Sequence, residues 1–298
     1  MNTLTGYRHE AFPYVGDEEF VVMAARVLGD GLACGEPGVL VSTADRLTGV
    51  HDALGSAGDG VRFVDTSTEA RHPALVLSVL QSFVRDAKGT RVRGLGDVTR
   101  PDRTPAMLAE AQLHDLLLNT PVCDDWNMWL GCPYDSASLT DDVVDSMLAS
   151  HPARHIDMTN ALAEKFGAEL PLRPADADRF AVDARDLAAV RAVVRTAATM
   201  AGLDAERSDG FVYAVNEVVT NSIRHGEGAA ELALWSADGS LVCEVHDGGR
   251  MGDVLAGRLA PSLGRTSGRG LWMVNHLCDL VQVRSPESGT SVRMYIGP

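Results

Sequence analysis

Three short stretches in the last third of this 298-residue chain carry side chains whose types and spacing could do chemistry. In the helical stretch running from Phe211 to Gly226, apolar residues at 211, 212, 215, 218, 219 and 223 supply a stripe to be buried. Glu217 and Asn221 stand apart from most of that stripe. Four residues apart, they project from one helix face, so a carboxylate and an amide oxygen could share one metal–phosphate site. The second stretch, Glu244-Val245-His246-Asp247-Gly248-Gly249, reads as a strand ending in an aspartate and two glycines. There a carboxylate could accept a hydrogen bond from an adenine amino group while glycine lets the backbone approach the ring. The third, Gly268-Arg269-Gly270-Leu271, is a glycine loop opening a helix, whose free N–H groups and positive dipole end suit phosphate oxygens. Each alone is commonplace: a solvated helical face, a turn, a helix cap.

Together, in this order and with these separations, the three stretches resemble the N, G1 and G2 boxes of the GHKL ATPase superfamily, which includes gyrase, Hsp90, histidine kinases and MutL. Within it, ExxxNxxxHG followed by GRGLWMVNHLCDLVQVRSPESGTSVRM looks like the anti-sigma factor serine/threonine kinases of partner-switching regulation. The resemblance covers about 120 residues. It implies ATP and Mg²⁺ as cofactors, with Asn221 coordinating Mg²⁺ and Glu217 as general base on the attacking hydroxyl. It implies further that Asp247 anchors adenine with Gly249 in support, that Gly268 and Gly270 form the phosphate lid, and that Thr290, after Gly289, lies near the adenine. Arg269 could pair with phosphate as a bidentate cation. Because phosphoryl transfer needs mainly positioning and charge neutralisation, a metal ligand, a base and N–H donors suffice without a P-loop lysine. One position departs from the pattern. Where the first glycine box usually reads DxGxG, its fifth position is Met251, which makes the loop past the adenine bulkier or turns it differently.

The elements that must hold these residues are read as an α+β domain with a mixed sheet, a Bergerat-type sandwich, over residues 179–298. A strand-like start at Phe180 precedes helices from Asp186 to Ala201 and from Asp209 to about Arg224. Strands Ala230 to Ser236 and Leu241 to Val245, joined by Ala237-Asp238-Gly239-Ser240, predict a hairpin. A helix from Gly270 to Asp279 and strands Leu280 to Arg284 and Ser291 to Ile296 complete it.

Residues 1–165 alternate short apolar runs with helical patterns: Gly38 to Val41, Ala44 to Leu54, Val61 to Val64, Pro73 to Arg85, Val92 to Leu95, Ala106 to Leu118, Trp126 to Leu130 and Asp141 to Ser150. That alternation predicts βαβ units and a mainly parallel sheet. This half resembles the MEDS sensory domain, through Gly6-Tyr7-Arg8-His9, Glu36-Pro37-Gly38-Val39-Leu40-Val41 and Cys132-Pro133-Tyr134-Asp135, and the resemblance implies a RecA- or Rossmann-like sheet. The loop Ser42-Thr43-Ala44-Asp45-Arg46 has no glycine cluster and should not hold nucleotide in the P-loop manner. His9 is a candidate for ligand or metal sensing; Cys132 and Cys123 are candidate thiol sensors or metal ligands with His114, though buried apolar cysteines are commoner. Residues 166–178, bearing two prolines and a glycine, read as a linker.

Composition narrows the function. A formal charge of −15 opposes nucleic-acid or anionic-lipid binding, and no apolar run approaches a membrane span, so a cytoplasmic protein is expected. Five scattered cysteines with no CxxC pair disfavour a disulfide framework or zinc ribbon. Two lysines against 24 arginines, neither lysine following a GxxxxG loop, exclude a lysine P-loop. The resemblance then implies a regulator that sequesters a sigma factor and phosphorylates a STAS-domain antagonist on serine or threonine, alone or as a homodimer, under control of the first domain. Two alternatives are a non-catalytic partner-binding module that keeps the fold, and a histidine kinase. The latter is disfavoured because His151 and His155 sit beside a proline without a long helix pair.

Overall fold

A computed structural model describes residues 6–151, 158–226, 228–261 and 269–298. The chain divides into two compact units, one ending at Leu162 and one starting at Ala163. Gly268 lies outside the described residues.

In the first unit, strands β1 (Arg8–Tyr14), β2 (Gly38–Ser42), β3 (Val61–Asp65), β4 (Val92–Gly96) and β5 (Met128–Asp135) form a sheet in the order β1-β5-β4-β2-β3, with every pairing parallel. Parallel neighbours require crossovers, supplied by α1 (Gly16–Ala33), α2 (Ala44–Leu54), α3 (Pro73–Asp86) and α4 (Pro105–Leu117), followed by α5 (Asp141–Ser150). The first two crossovers move one way along the sheet and the next two move back, so right-handed connections put α1 and α2 on one face and α3 and α4 on the other. Strand β2 is buried along its whole length, as a central strand covered on both faces must be. The elements β1 and α1 go beyond the sequence reading. The aromatic run of that reading divides: Trp126 precedes β5, while Gly131 to Asp135 belong to the strand.

Helix α6 (Thr159–Phe166) runs across that division, and the second unit continues with β6 (Asp178–Val182), α7 (Leu187–Met200), α8 (Ala205–His225), β7 (Ala230–Ala237), β8 (Ser240–Asp247), α9 (Arg269–Leu277), β9 (Leu280–Arg284) and β10 (Thr290–Ile296). Its sheet order is β6-β7-β8-β10-β9. The expected mixed sheet is corrected: every described pairing is antiparallel. Strands β8 and β9 do run the same way across the α9 crossover, but β10 lies between them, so no parallel ladder forms. The β7–β8 hairpin closes on Asp238 and Gly239 at φ +50° and +76°, both left-handed, which is why an Asp-Gly pair sits there.

Alternation along β8 decides what faces the helices. Leu241, Cys243 and Val245 join the core with Phe211, Val215 and Val219 of α8. Glu244 turns to the opposite face, where it is buried by Arg293 (Nε to Oε2, 2.6 Å) and by Arg173 (Nε to Oε1, 3.2 Å). The segment read as a linker is thus tied to the sheet: Arg173 also pairs with Glu231, and the Pro171 carbonyl accepts from Arg293 at 2.7 Å.

Candidate functional site

Asp247 shares the parity of Leu241, Cys243 and Val245, so the last residue of β8 points its carboxylate to the helix side of the sheet. It stands opposite Thr290, the first residue of β10. A cavity of about 310 Å³ opens between these strand ends and α8. Val218, Asn221, Ser222 and His225 line it from the helix, Asp247 and Gly249 to Asp253 from the turn, Leu271 from α9, and Thr290 and Val292 from β10. The size suits a nucleoside-sized ligand rather than an extended polymer.

Helix α8 begins at Asp204, whose side chain accepts the Arg207 N–H at 2.8 Å. It ends at Gly226, whose N–H bonds the Ser222 carbonyl. A Cβ on Gly226 would overlap the Asp247 side chain, and one on Gly249 would overlap the His225 carbonyl. The helix end and the strand end can therefore meet only through these two glycines, and that approach closes one wall of the cavity. Gly289 serves the third side: its φ is +134°, and an added Cβ would collide with the Asp247 carbonyl.

A relay of hydrogen bonds fixes the turn beyond Asp247. The Gly249 N–H donates to Asp247 Oδ1 at 2.8 Å, leaving the second carboxylate oxygen for a donor in the cavity. Thr290 Oγ1 donates to the Gly249 carbonyl at 2.9 Å, so the Ser285 hydroxyl, 2.9 Å away, must donate to Thr290. Ser285 Oγ in turn accepts the Met251 N–H at 2.9 Å. Met251 therefore holds its backbone through Ser285, packs its side chain against the core of this unit, and lines the cavity. The sequence identifies the bulk at this position; it offers no signal for Ser285, whose role follows only from the β9–β10 turn bringing it beside Thr290.

Glu217 and Asn221, both half-buried, lie along α8. A Cβ added to Gly270 would sit 2.8 Å from Glu217 Oε2 and 3.4 Å from Asn221 Nδ2. The N-terminal end of α9 thus comes down on this carboxylate–amide pair, and a Cβ at position 270 would require the Glu217 carboxylate to swing aside. Arg269, exposed, begins the described part of α9. Asn221, Asp247, Gly249 and Thr290 meet at one cavity, with Glu217 and Gly270 adjoining it through Asn221.

Among the described residues of the first unit, charged side chains gather beyond the end of β2. At the end of β2, Ser42 donates to Asp97 at 2.6 Å, and Arg46 bridges Asp97, Asp17 and Tyr14. These contacts form an ion-paired network at the end of β2. Of the two histidines weighed as phosphoacceptors, His151 is buried at the end of α5 and His155 lies outside the described residues.

The second unit thus sets a helix-backed antiparallel sheet with an acidic strand end and glycine-lined turns beside a carboxylate–amide pair beneath a second helix. Residues 180–296 match the family model of the histidine kinase-like ATPase domain, and residues 8–152 match that of the MEDS domain, the methanogen/methylotroph, DcmR sensory domain. Each match falls within one of the two compact units. Among solved structures, one similar chain is the RsbU and RsbW domains of Rv1364c from Mycobacterium tuberculosis, at 21% identity and a TM-score of 0.32. The match covers 42% of this chain and 33% of that one, so this chain spans about a third of its neighbour's length. No curated protein matches. No helix among the described residues is long and apolar enough to cross a membrane.

Proposed function

We propose that the second unit binds ATP with Mg²⁺ and transfers the γ-phosphate to a serine or threonine of a STAS-domain antagonist, and that it also sequesters a sigma factor in the cytoplasm. The observation that carries this reading is the convergence at one cavity of Asp247, its glycine and threonine supports, and the Glu217–Asn221 pair under Gly270. ATP with its metal supplies the electrophilic phosphoryl group and most of the charge neutralisation. The chain supplies position: Asp247 offers its free oxygen to the adenine amino group, and Asn221 contributes an amide oxygen to the metal. Glu217 lies where it would accept the proton of an incoming hydroxyl. Arg269 and the N–H groups at the start of α9, with Gly268 just before it, answer the phosphate oxygens. The first unit, as a sensory domain, biases that activity, and a homodimer would place two such sites under one control.

A second reading is favoured by Met251, whose side chain takes space in the cavity: a partner-binding module that keeps the fold without turnover. Calorimetric titration of ATP and Mg²⁺ into the full chain, followed by labelled phosphate transfer to a STAS-domain substrate, separates the two. Binding with transfer that is lost in Glu217→Ala supports the kinase. Binding without any transfer by the wild type supports the module, and no binding at all overturns the kinase reading and leaves the module as a protein-docking scaffold.

A further inference from the structure

The first unit holds a second cluster with the makings of a ligand site. His9 on β1, Asp115 on α4, Cys132 on β5 and His151 at the end of α5 each present one donor atom, all four within 4.8 Å of one another. One pair, His9 Nε2 and Cys132 Sγ, is 3.1 Å apart. Donor atoms around a tetrahedral zinc ion lie about 3.3–3.8 Å from one another, given bond lengths near 2.0–2.3 Å, so sub-ångström adjustments would close the shell.

Two further features point to a missing cation. Asp115 has no exposed surface, and neither of its carboxylate oxygens meets a donor at hydrogen-bonding geometry; the Cys132 thiol is the polar group beside it. A buried carboxylate without partners is costly, and chains rarely keep one without a use. His151 Nε2 is likewise buried and unpartnered. The outward nitrogens of both histidines, by contrast, are committed. His151 Nδ1 donates to the Met147 carbonyl at 2.7 Å. Asn119 spends its amide hydrogens on the carbonyls of Asp115 and Ser150, both at 2.8 Å, so its Oδ1 can only accept, and it faces His9 Nδ1 at 3.3 Å. Both rings are thereby fixed in the tautomer that turns an Nε2 lone pair inward, the arrangement in which outer hydrogen bonds orient metal-ligating histidines. Burial holds both imidazoles below their ordinary range, which keeps those lone pairs available.

We propose that His9, Asp115, Cys132 and His151 form a site for a divalent transition metal ion of the Zn²⁺ type, with Asn119 as a positioning residue. A thiolate and a carboxylate balance the two charges of the ion while the imidazoles stay neutral, and binding releases the protons of the two acids. The sulfur and nitrogen donors select against Mg²⁺ and Ca²⁺, which take oxygen. The ion would join β1, β5, α4 and α5, including the residue at which α5 ends, and would give the sensory unit an input independent of the nucleotide site.

The test is Co²⁺ titration of the full-length chain after chelation, read by absorption. A sulfur-to-cobalt charge-transfer band that saturates at one ion per chain is expected, displaced by Zn²⁺ and lost in Cys132→Ser. It should be retained in Cys34→Ser, which alters an exposed cysteine. Asn119→Ala should keep the band and weaken Co²⁺ affinity about 10- to 100-fold. A folded wild-type chain that shows no such band, or a band that survives Cys132→Ser, overturns the site whatever the other variants do.

Discussion

Replacing Asp247 with asparagine tests the adenine pocket without changing its shape. In the wild type the carboxylate has two acceptor oxygens: Oδ1 takes the Gly249 N–H at 2.8 Å, and the other faces the cavity. An asparagine has one acceptor and one donor end. If its oxygen keeps Gly249, its NH₂ confronts the adenine amino group, donor against donor. If it flips, adenine is served and the Gly249 N–H is orphaned, loosening the turn that Thr290 and Ser285 hold. In either orientation one charge-assisted hydrogen bond is lost, worth about 1.5–3 kcal/mol. ATP affinity should therefore fall about 10- to 150-fold. The preference for ATP over GTP should shrink as well, because the carboxylate that repels the guanine carbonyl is gone. Calorimetry of the full chain with each nucleotide and Mg²⁺ reads both effects, and a thermal melt of the free protein checks that the fold is kept. An unchanged ATP affinity in a folded Asp247→Asn protein would refute the assignment of this aspartate to the base.

Three further outcomes are expected. Glu217→Gln should leave ATP affinity within a few-fold of wild type while lowering phosphotransfer about 10²- to 10⁴-fold, the usual contribution of a positioned general base, measured in single-turnover transfer to the antagonist. Gly226→Ala should lower stability by about 1–3 kcal/mol in urea unfolding and weaken nucleotide binding together, since its Cβ would overlap Asp247 and force the helix end away from the strand end. Glu244→Ala should cost about 3–5 kcal/mol in the same assay, because it leaves the Arg293 guanidinium, 5% exposed, buried without its carboxylate.

What could be read from the sequence follows where local chemistry and pattern agree. Helix α2 and strand β9 fall on the expected residues because apolar periodicity and flanking turns mark both ends. Asp-Gly in the β7–β8 turn declares its own conformation. Strand β1 and helix α1 were illegible for opposite reasons. The strand, Arg-His-Glu-Ala-Phe-Pro-Tyr, sits at the sheet edge with a proline and four successive half-buried positions, so it carries no alternation to detect. The helix contains three glycines, Gly16, Gly29 and Gly31, and Gly31 is there because the Arg93 side chain occupies the space of its Cβ. Sheet direction was also beyond local reading: β8 and β9 are joined as a parallel pair would be, and only the return of β10 between them makes the sheet antiparallel. At the cavity of the second unit, residue types and family resemblance singled out Asn221, Asp247 and Thr290 as candidates, with Glu217 beside them, but not the relay through Ser285 that holds Met251. The four-donor cluster of the first unit shows the same limit more sharply. His9, Asp115, Cys132 and His151 are spread over more than 140 residues, and no spacing rule links them. They meet because β1 inserts beside β5 and α4 and α5 pack on each other, so topology, not motif, assembles the site. The same topology makes the metal proposal independent of the kinase reading: loss of nucleotide binding in the second unit would leave the four donors of the first where they are.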